Sequence, residues 1–490
     1  MITSLLFPFL TAIATATLAP EVFWARVPPT APRVLWIHGH DLWDGNPHDT
    51  RKASASIGET PLEWNRGLGG NNNEGNFSLY RVQRFILPAS IPPGPATVQY
   101  VRNDGECTEI TVAVPPIPSV MSLPFRGDVT FPEESYVAPA GLVADFGGRT
   151  WIAGPQYRSK QAVLVVPEGT WVANLEIRVE ESAPNVPAIQ VTGNNVRLQN
   201  IRIIHRHHEG HGIAIYEGTQ DSTFLDLELS ATRGAICYST VDSRPDRVMA
   251  RNNWLHIQST GPRGCGSGED TRIMNGPHNL FFDYVVRDKD RAMTGSSGQA
   301  CDANLLYECR LIRTGMTKGG SEGIFFEHLH GYLAKTQGTS GLFLSAIHQP
   351  GKDLWCRPGQ VVADIETGQW AFIEESHILP TTPPVVGLTL SRQIGEPTSV
   401  WIGAAATRNT VARCVHDSGR GGIIWWGVAI DNHVVGADYR DLRWAESQLE
   451  TGGLRPNGTL GFGHGNVRDR SKYTHVDNEY IEAWDSNSLP

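Results

Sequence analysis

From Asn194 to Arg313 the chain alternates two kinds of short apolar piece and never acquires a helical period. The first kind is Asn195-Val-Arg-Leu-Gln-Asn-Ile-Arg-Ile203, with counterparts that start near Ser222, Asp246, His278 and Ala303. The second is shorter and mostly led by glycine: Gly212-Ile-Ala-Ile215, Gly234-Ala-Ile-Cys-Tyr238, Thr271-Arg-Ile-Met274, Arg291-Ala-Met-Thr294 and Gly323-Ile-Phe-Phe326. Two alternating pieces that recur every ~20–35 residues mark a solenoid, in which each repeat buries its apolar face only against its neighbours. The pieces alternate polar and apolar residues and are bounded by Gly, Asn, Asp and Ser, which predicts strands rather than helix pairs. The repeats differ in length, so loops of different size must leave one side of a regular core. A parallel β-helix meets all of these demands, and the expected fold class is all-β.

On these repeats the chain resembles the right-handed parallel β-helix superfamily, which includes pectate lyases, polygalacturonase-type glycosidases and phage tailspikes. The resemblance covers residues 140–435 and rests on the repeat pattern more than on any single motif. It implies a solenoid with a glycan cleft along one flank. It does not imply one reaction, because that superfamily hosts lyases, hydrolases, epimerases and plain binders.

Composition narrows the partners. A net charge of −10 argues against a nucleic-acid binder, which would carry a basic face. Between Arg244 and Gly320, however, eleven Lys/Arg face eight Asp/Glu, so the middle of the chain could meet an acidic sugar. The seven cysteines show no metal-binding spacing such as CxxC, and their odd number leaves at least one thiol without a partner in the chain. Cys265 and Cys301 are the pair that loop positions would allow.

Five regions are expected along the chain. Residues 1–19 are apolar and end in small residues, as a secretory signal does, which points to a secreted or cell-surface protein. No other segment has the uninterrupted apolar length of a membrane span. Residues 20–114 read as several short strands between turn clusters. Their ending, Leu87-Pro-Ala-Ser-Ile-Pro-Pro-Gly94 followed by two strands around Asn103-Asp-Gly105, resembles the last hairpin of an immunoglobulin-like module of the IPT/TIG kind. His38, His40 and His48 lie near one another there and read as solvated loop residues. Residues 115–139 are a proline-stiffened linker and lead-in. Residues 140–435 are the solenoid, with later coils expected at 341–344, 361–365, 399–402, 410–414, 422–426 and 431–435. Residues 436–490 lose the repeat and are expected to cap the open end or lie along the outside.

Stacking supplies the spatial inference. Equivalent residues of successive coils lie ~4.8 Å apart. Aligning the residue before each glycine-led piece gives the column His211, Arg233, Asp270, Asp290-Arg291, Glu322, with Glu269, Asp288 and Lys289 at its edge. Hydrolysis of a glycoside needs one protonated and one ionised carboxyl group. Asp270 and Asp290 would supply them one rung apart, or Asp270 and Glu322 two rungs apart. Elimination on a uronic acid needs a base and a cation instead. Lys289 and Arg291 would serve, with Asp283, Asp288 or Asp290 holding calcium. Arg233 and Arg272 would bind substrate, and one of the adjacent pair Trp425 and Trp426 would offer a ring face to a sugar. The competing account is that these acids cap turns and pair with Arg272 or Arg287.

Gly210-His211-Gly212 is similar to a polygalacturonase motif. That family places it after Asn-Thr-Asp and Asp-Asp motifs, which do not occur in this region, so a true polygalacturonase is not expected. No pectate-lyase calcium cluster is recognisable. The expectation is therefore a glycan-cleaving enzyme in which hydrolysis is favoured over elimination, with a non-catalytic glycan binder or adhesin as the alternative from another class. No cofactor is required unless calcium serves the elimination.

Overall fold

The computed structural model describes residues 19–43, 52–65, 81–207, 210–231, 234–237, 248–261, 269–271, 276–289, 291–296, 301–313, 324–328, 331–337, 342–345, 356–364, 367, 369–379, 385–395, 397–417, 423–440, 467–476 and 479–482. Among them there is no helix, and hence none that could cross a membrane. The apolar segment 1–18 lies outside the described residues.

Between residues 136 and 435 the chain builds a parallel β-solenoid of about eight turns, interrupted by one insertion. Its glycine-led strands stack into one sheet and its longer strands into a second. The interior is built by columns of like residues. Leu164, Ile189, Ile213 and Ile236 follow one another down the first sheet, and beyond Thr271 so do Met293, Ile324 and Ile423, all seven apolar residues fully buried or nearly so. In the second, Phe224, Trp254 and Phe281 stack with ring centroids 3.9 and 6.1 Å apart and planes within 5° of parallel.

A polar ladder runs beside this apolar interior. Each longer strand is entered through a residue in the left-handed region: Asn195, Asp221, Arg251, His278, Ala303, Arg408 and Asp431. The turn this forces points the next side chain inward, where Asn252, Asn279, Asn304, Asn409 and Asn432 are completely buried. Each asparagine from Asn252 to Asn409 donates its backbone N–H to the side-chain oxygen of the next, at 2.8–3.1 Å. Turn groups that burial would leave orphaned are thereby satisfied, rung after rung. Cys301 belongs to this ladder. Its thiol is free and lies beside Asn304 and Asn409, so it makes no bond to Cys265, which is outside the described residues.

One part of the chain differs from expectation. The six strands described between 331 and 403 are not coils of the solenoid but a closed antiparallel barrel. It comprises Gly331–Gln337, Leu342–Ser345, Val361–Asp364, Trp370–Leu379, Val385–Leu390 and Ser399–Gly403. Short alternating strands read alike whether their neighbours are parallel or antiparallel, so the coils expected at 341–344, 361–365 and 399–402 were barrel strands. The solenoid resumes beyond the insertion, where Cys301 stands level with Ala406 and Leu305 with Thr410. At the C-terminal side, Val467–Val476 and Glu479–Glu482 add in parallel to Ile423–Ile430 and His433–Arg440, at the end of the stack.

Ahead of the solenoid, two four-stranded antiparallel sheets enclose a core of Leu35, Ile37, Phe85, Val98, Tyr100 and Val112. This sandwich is docked rather than tethered. Trp24, Trp36 and Val82 share one apolar cluster with Leu225, Leu255, Leu280, Leu305, Tyr307 and Ala412 of the solenoid. Trp24 Nε1 donates to the Ala303 carbonyl at 2.7 Å, and Arg81 pairs with Asp431 at 2.9 Å. The Arg84 guanidinium lies over Trp36, Phe282 and Tyr307. His38 is no loop residue: it is fully buried in this interface, 2.9 Å from the Thr410 hydroxyl. His40 lies against Asp41, and His48 is outside the described residues. The linker is held as well. Leu123 N–H donates to Asn174 Oδ1 at 3.0 Å, and Asn200 Nδ2 donates to the Leu123 carbonyl at 2.7 Å.

Candidate functional site

The register of the glycine-led strands fixes which expected site residues share a level. His211 stands level with Gly234, Ile236 with Thr271, Glu269 with Arg291, and Met293 with Ile324. The acid opposite Arg291 is therefore Glu269, and Asp270 stands level with Ala292 rather than with residue 290. Register runs through the column Ile213, Ile236, Thr271, Met293 and Ile324, which aligning strand starts could not locate. Asp290, Glu322, Arg233 and Arg272 lie outside the described residues. For Asp270, Arg291, Trp425 and Trp426 only the strand positions are described, with Trp425 level with Phe326 and Trp426 with Glu327.

Three other candidates are engaged with protein groups. Lys289 is buried, and its ammonium donates to the Ala231 carbonyl. It reaches that carbonyl across Gly261, where a Cβ would stand only 3.0 Å from the lysine Cδ. Asp288 accepts two hydrogen bonds from Arg313, at 2.6 and 2.8 Å. Asp283 meets His256 at 3.1 Å and Arg310 at 3.8 Å. Among the described residues no three His, Cys, Asp or Glu side chains gather as metal ligands. The Gly210-His211-Gly212 stretch has a packing cause, because a Cβ at Gly210 would collide with the imidazole of His205. His205 is buried against the Val186 carbonyl, and burial lowers its pKa to about 4, so it is neutral at pH 7.

A second column, not singled out from the sequence, is described far more completely. Six of the seven strands entered through a left-handed residue contain a second one five positions after the first: Asn200, Asp226, His256, Asp283, Glu308 and Arg413, with Asn174 before them. It interrupts the strand like a bulge and turns one polar side chain outward per rung. The residues just before it, Leu225, Leu255, Phe282, Tyr307 and Ala412, are the ones packed under the sandwich. The polar column therefore runs along the rim of the docked module, parallel to the stack, with a wall on one side.

Along that rim Asp226, His256, Asp283 and Glu308 succeed one another at steps of ~4.8 Å. Desolvation raises the Asp226 carboxyl, against the pull of His256 and Arg197, although its side chain still reaches solvent. The bond to Asp283 raises His256, with its charge and that of Asp226 acting in the same direction. Glu308 faces Arg413 at 3.4 Å. Toward the N-terminal rungs, Arg197 lies 4.0 Å over the Trp171 ring, and burial lowers its pKa to about 10. A carboxyl group whose pKa desolvation raises thus stands two rungs, ~10 Å, from a carboxylate bonded to histidine. Arg197 acts on the first and Arg310 on the second. The sequence signal was a polar residue breaking the apolar alternation, as in Leu225-Asp-Leu227, Leu255-His-Ile257 and Phe282-Asp-Tyr284. Compared with known proteins, the sequence matches no family model and no curated protein, so the solenoid and this rim are what the functional reading rests on.

Proposed function

We propose that the protein is an exported polysaccharide-cleaving enzyme that holds its glycan along the solenoid flank and hydrolyses it with a carboxyl pair. The observation that carries this is the outward column Asp226–His256–Asp283 along the rim of the docked sandwich. Asp226, raised by desolvation, is the proton donor to the leaving oxygen. Asp283, oriented by His256, is the base that activates water. Their ~10 Å separation lies near the upper edge of the spacing that admits a water and inverts the anomeric centre. The engagement of Lys289 with a carbonyl, and of Asp288 with Arg313, supports hydrolysis over calcium-assisted elimination. The glycine-led face, with Asp270, Glu269 and Arg291, is the other position for the same chemistry.

The test is a panel of polysaccharides followed for new reducing ends and for the ultraviolet absorbance of unsaturated products, with Asp226→Asn, Asp283→Asn and Asp270→Asn beside the parent. Reducing ends without absorbance are expected. Loss of either rim carboxylate should lower turnover by roughly 10²–10⁴, the range for a general acid or base. A full loss in Asp270→Asn with both rim variants active would move the site to the glycine-led face. Because Asp283 and Glu308 are both ion-paired, glycan binding without cleavage is the second reading. Retention on a polysaccharide column with no products would establish it.

A further inference from the structure

All nine large apolar side chains that stand exposed among the described residues lie between Ile117 and Val143. Six belong to the first coil: Val129, Phe131, Tyr136, Val137, Leu142 and Val143, each 42–60 % exposed. Tyr136 shows the reason. It stands level with Leu164, which is fully buried, and differs only in having no rung beneath it. Behind it, Phe146 and Trp151 close the lumen edge to face at 5.0 Å. The backbone is open at the same place. Val129–Thr130 and Tyr136–Val137 are terminal strands of the two solenoid sheets, and among the described residues no strand pairs with their outer sides. Exposed strand edges combined with apolar side chains invite strand addition.

What covers this end can be argued from where the rest of the chain attaches. Residues 81–207 are described without a break, so no undescribed loop leaves the first rungs. Residues 1–18 join the strand Glu21–Arg26, which lies several rungs up, against Asn253, His278 and Ala303. The segments after Arg440 attach at the opposite end of the stack. The first coil also carries both signs of charge, Arg126 and Arg149 beside Asp128, Glu133, Glu134 and Asp145, so it selects no partner of single charge. A surface of edge strands, apolar residues and mixed charge is complementary to itself. A two-fold arrangement of identical edges also closes, leaving neither edge open.

We propose that two copies of this chain associate end to end about a two-fold axis through their first coils, each copy capping the other's solenoid. Strand edges pair across the axis, and Phe131, Tyr136, Val137 and Leu142 form the apolar centre of the interface.

Light scattering and sedimentation of the full chain across a dilution series test this. The parent should run at twice the monomer mass. Phe131→Asp combined with Val137→Lys should run as monomer with a melting temperature within a few degrees of the parent, because both side chains are exposed in the single chain. Should that double variant misfold, Leu142→Ser decides, and it should weaken association by roughly tenfold, the effect of losing ~1.4 kcal/mol. Three outcomes overturn the proposal. One is a parent that is monomeric at tens of micromolar, whether or not removing residues 1–18 then exposes dye-binding surface. Another is a dimer that survives these substitutions. The last is growth beyond the dimer with concentration, which would indicate first coil stacking on last coil in an open filament.

Discussion

Asp302 shows how much one buried charge can be asked to hold. Desolvation alone would raise its pKa, but His278 and the Arg408 guanidinium outweigh it and bring the carboxyl to about 2. Arg408 grips it at 2.6 and 2.9 Å while lying between Phe23 of the sandwich and Phe372 of the barrel. Three parts of the molecule therefore meet on one ion pair. Because the folded pKa lies below the ordinary carboxylate value of 3.8, the stabilisation is complete above about pH 4. It is lost as pH falls from there toward 2. Thermal melts should accordingly hold a steady midpoint down to about pH 4 and drop steeply below it. Asp302→Asn should cost about 3 kcal/mol or more in denaturant titration at pH 7, since it leaves Arg408 charged and unpartnered. In that variant the acid-dependent drop should shrink.

At the scale of elements, the asparagine ladder and the outward column are two outputs of one repeated backbone path. A left-handed residue before the strand turns asparagine in, and another five positions later turns a polar residue out. Asn304 tests the inner half. It accepts from both the backbone N–H and the Nδ2 of Asn279 at 2.8 Å, so Asn304→Leu strands that buried N–H and removes one of two bonds from an amide that keeps the Met249 carbonyl. About 1–3 kcal/mol is the expected cost, read as a shift in denaturant midpoint with unchanged slope. Much of this was legible in the chain. The Asn-apolar starts at Asn279, Asn304 and Asn432 revealed the coils, and alternation marked their strands. What could not be read was register, because Glu269 and Asp270 differ by one position in a pattern whose buried anchors are known only after stacking. Nor could parallel neighbours be told from antiparallel ones in Val361–Asp364 or Ser399–Gly403, where the deciding contacts are distant in sequence.

The whole molecule is more integrated than its division at the Pro115–Pro118 linker suggests. The sandwich covers Leu255, Phe282 and Tyr307, and the linker is bonded to Asn174 and Asn200. A fragment beginning at residue 120 is therefore expected to bind a hydrophobic dye and to melt lower than the full chain. Limited proteolysis should spare 121–127 despite its proline-rich approach. A fragment as stable as the parent and silent toward dye would show that the docked face contributes little.

The barrel between Ile324–His328 and Ala406–Thr407 also imposes a timetable on synthesis. Cys301 has its rung partner in Ala406, and Asn304 bonds to Asn409, 105 residues further on. At 5–20 residues per second the ribosome needs roughly 5–20 s to deliver that partner. Throughout that interval the earlier rungs stand with an unfinished edge while a self-contained antiparallel body emerges behind them. A nascent chain stalled before Ala406 should be the form most prone to capture by chaperones or to aggregation, and the hazard should end within a few residues of Asn409 leaving the exit tunnel.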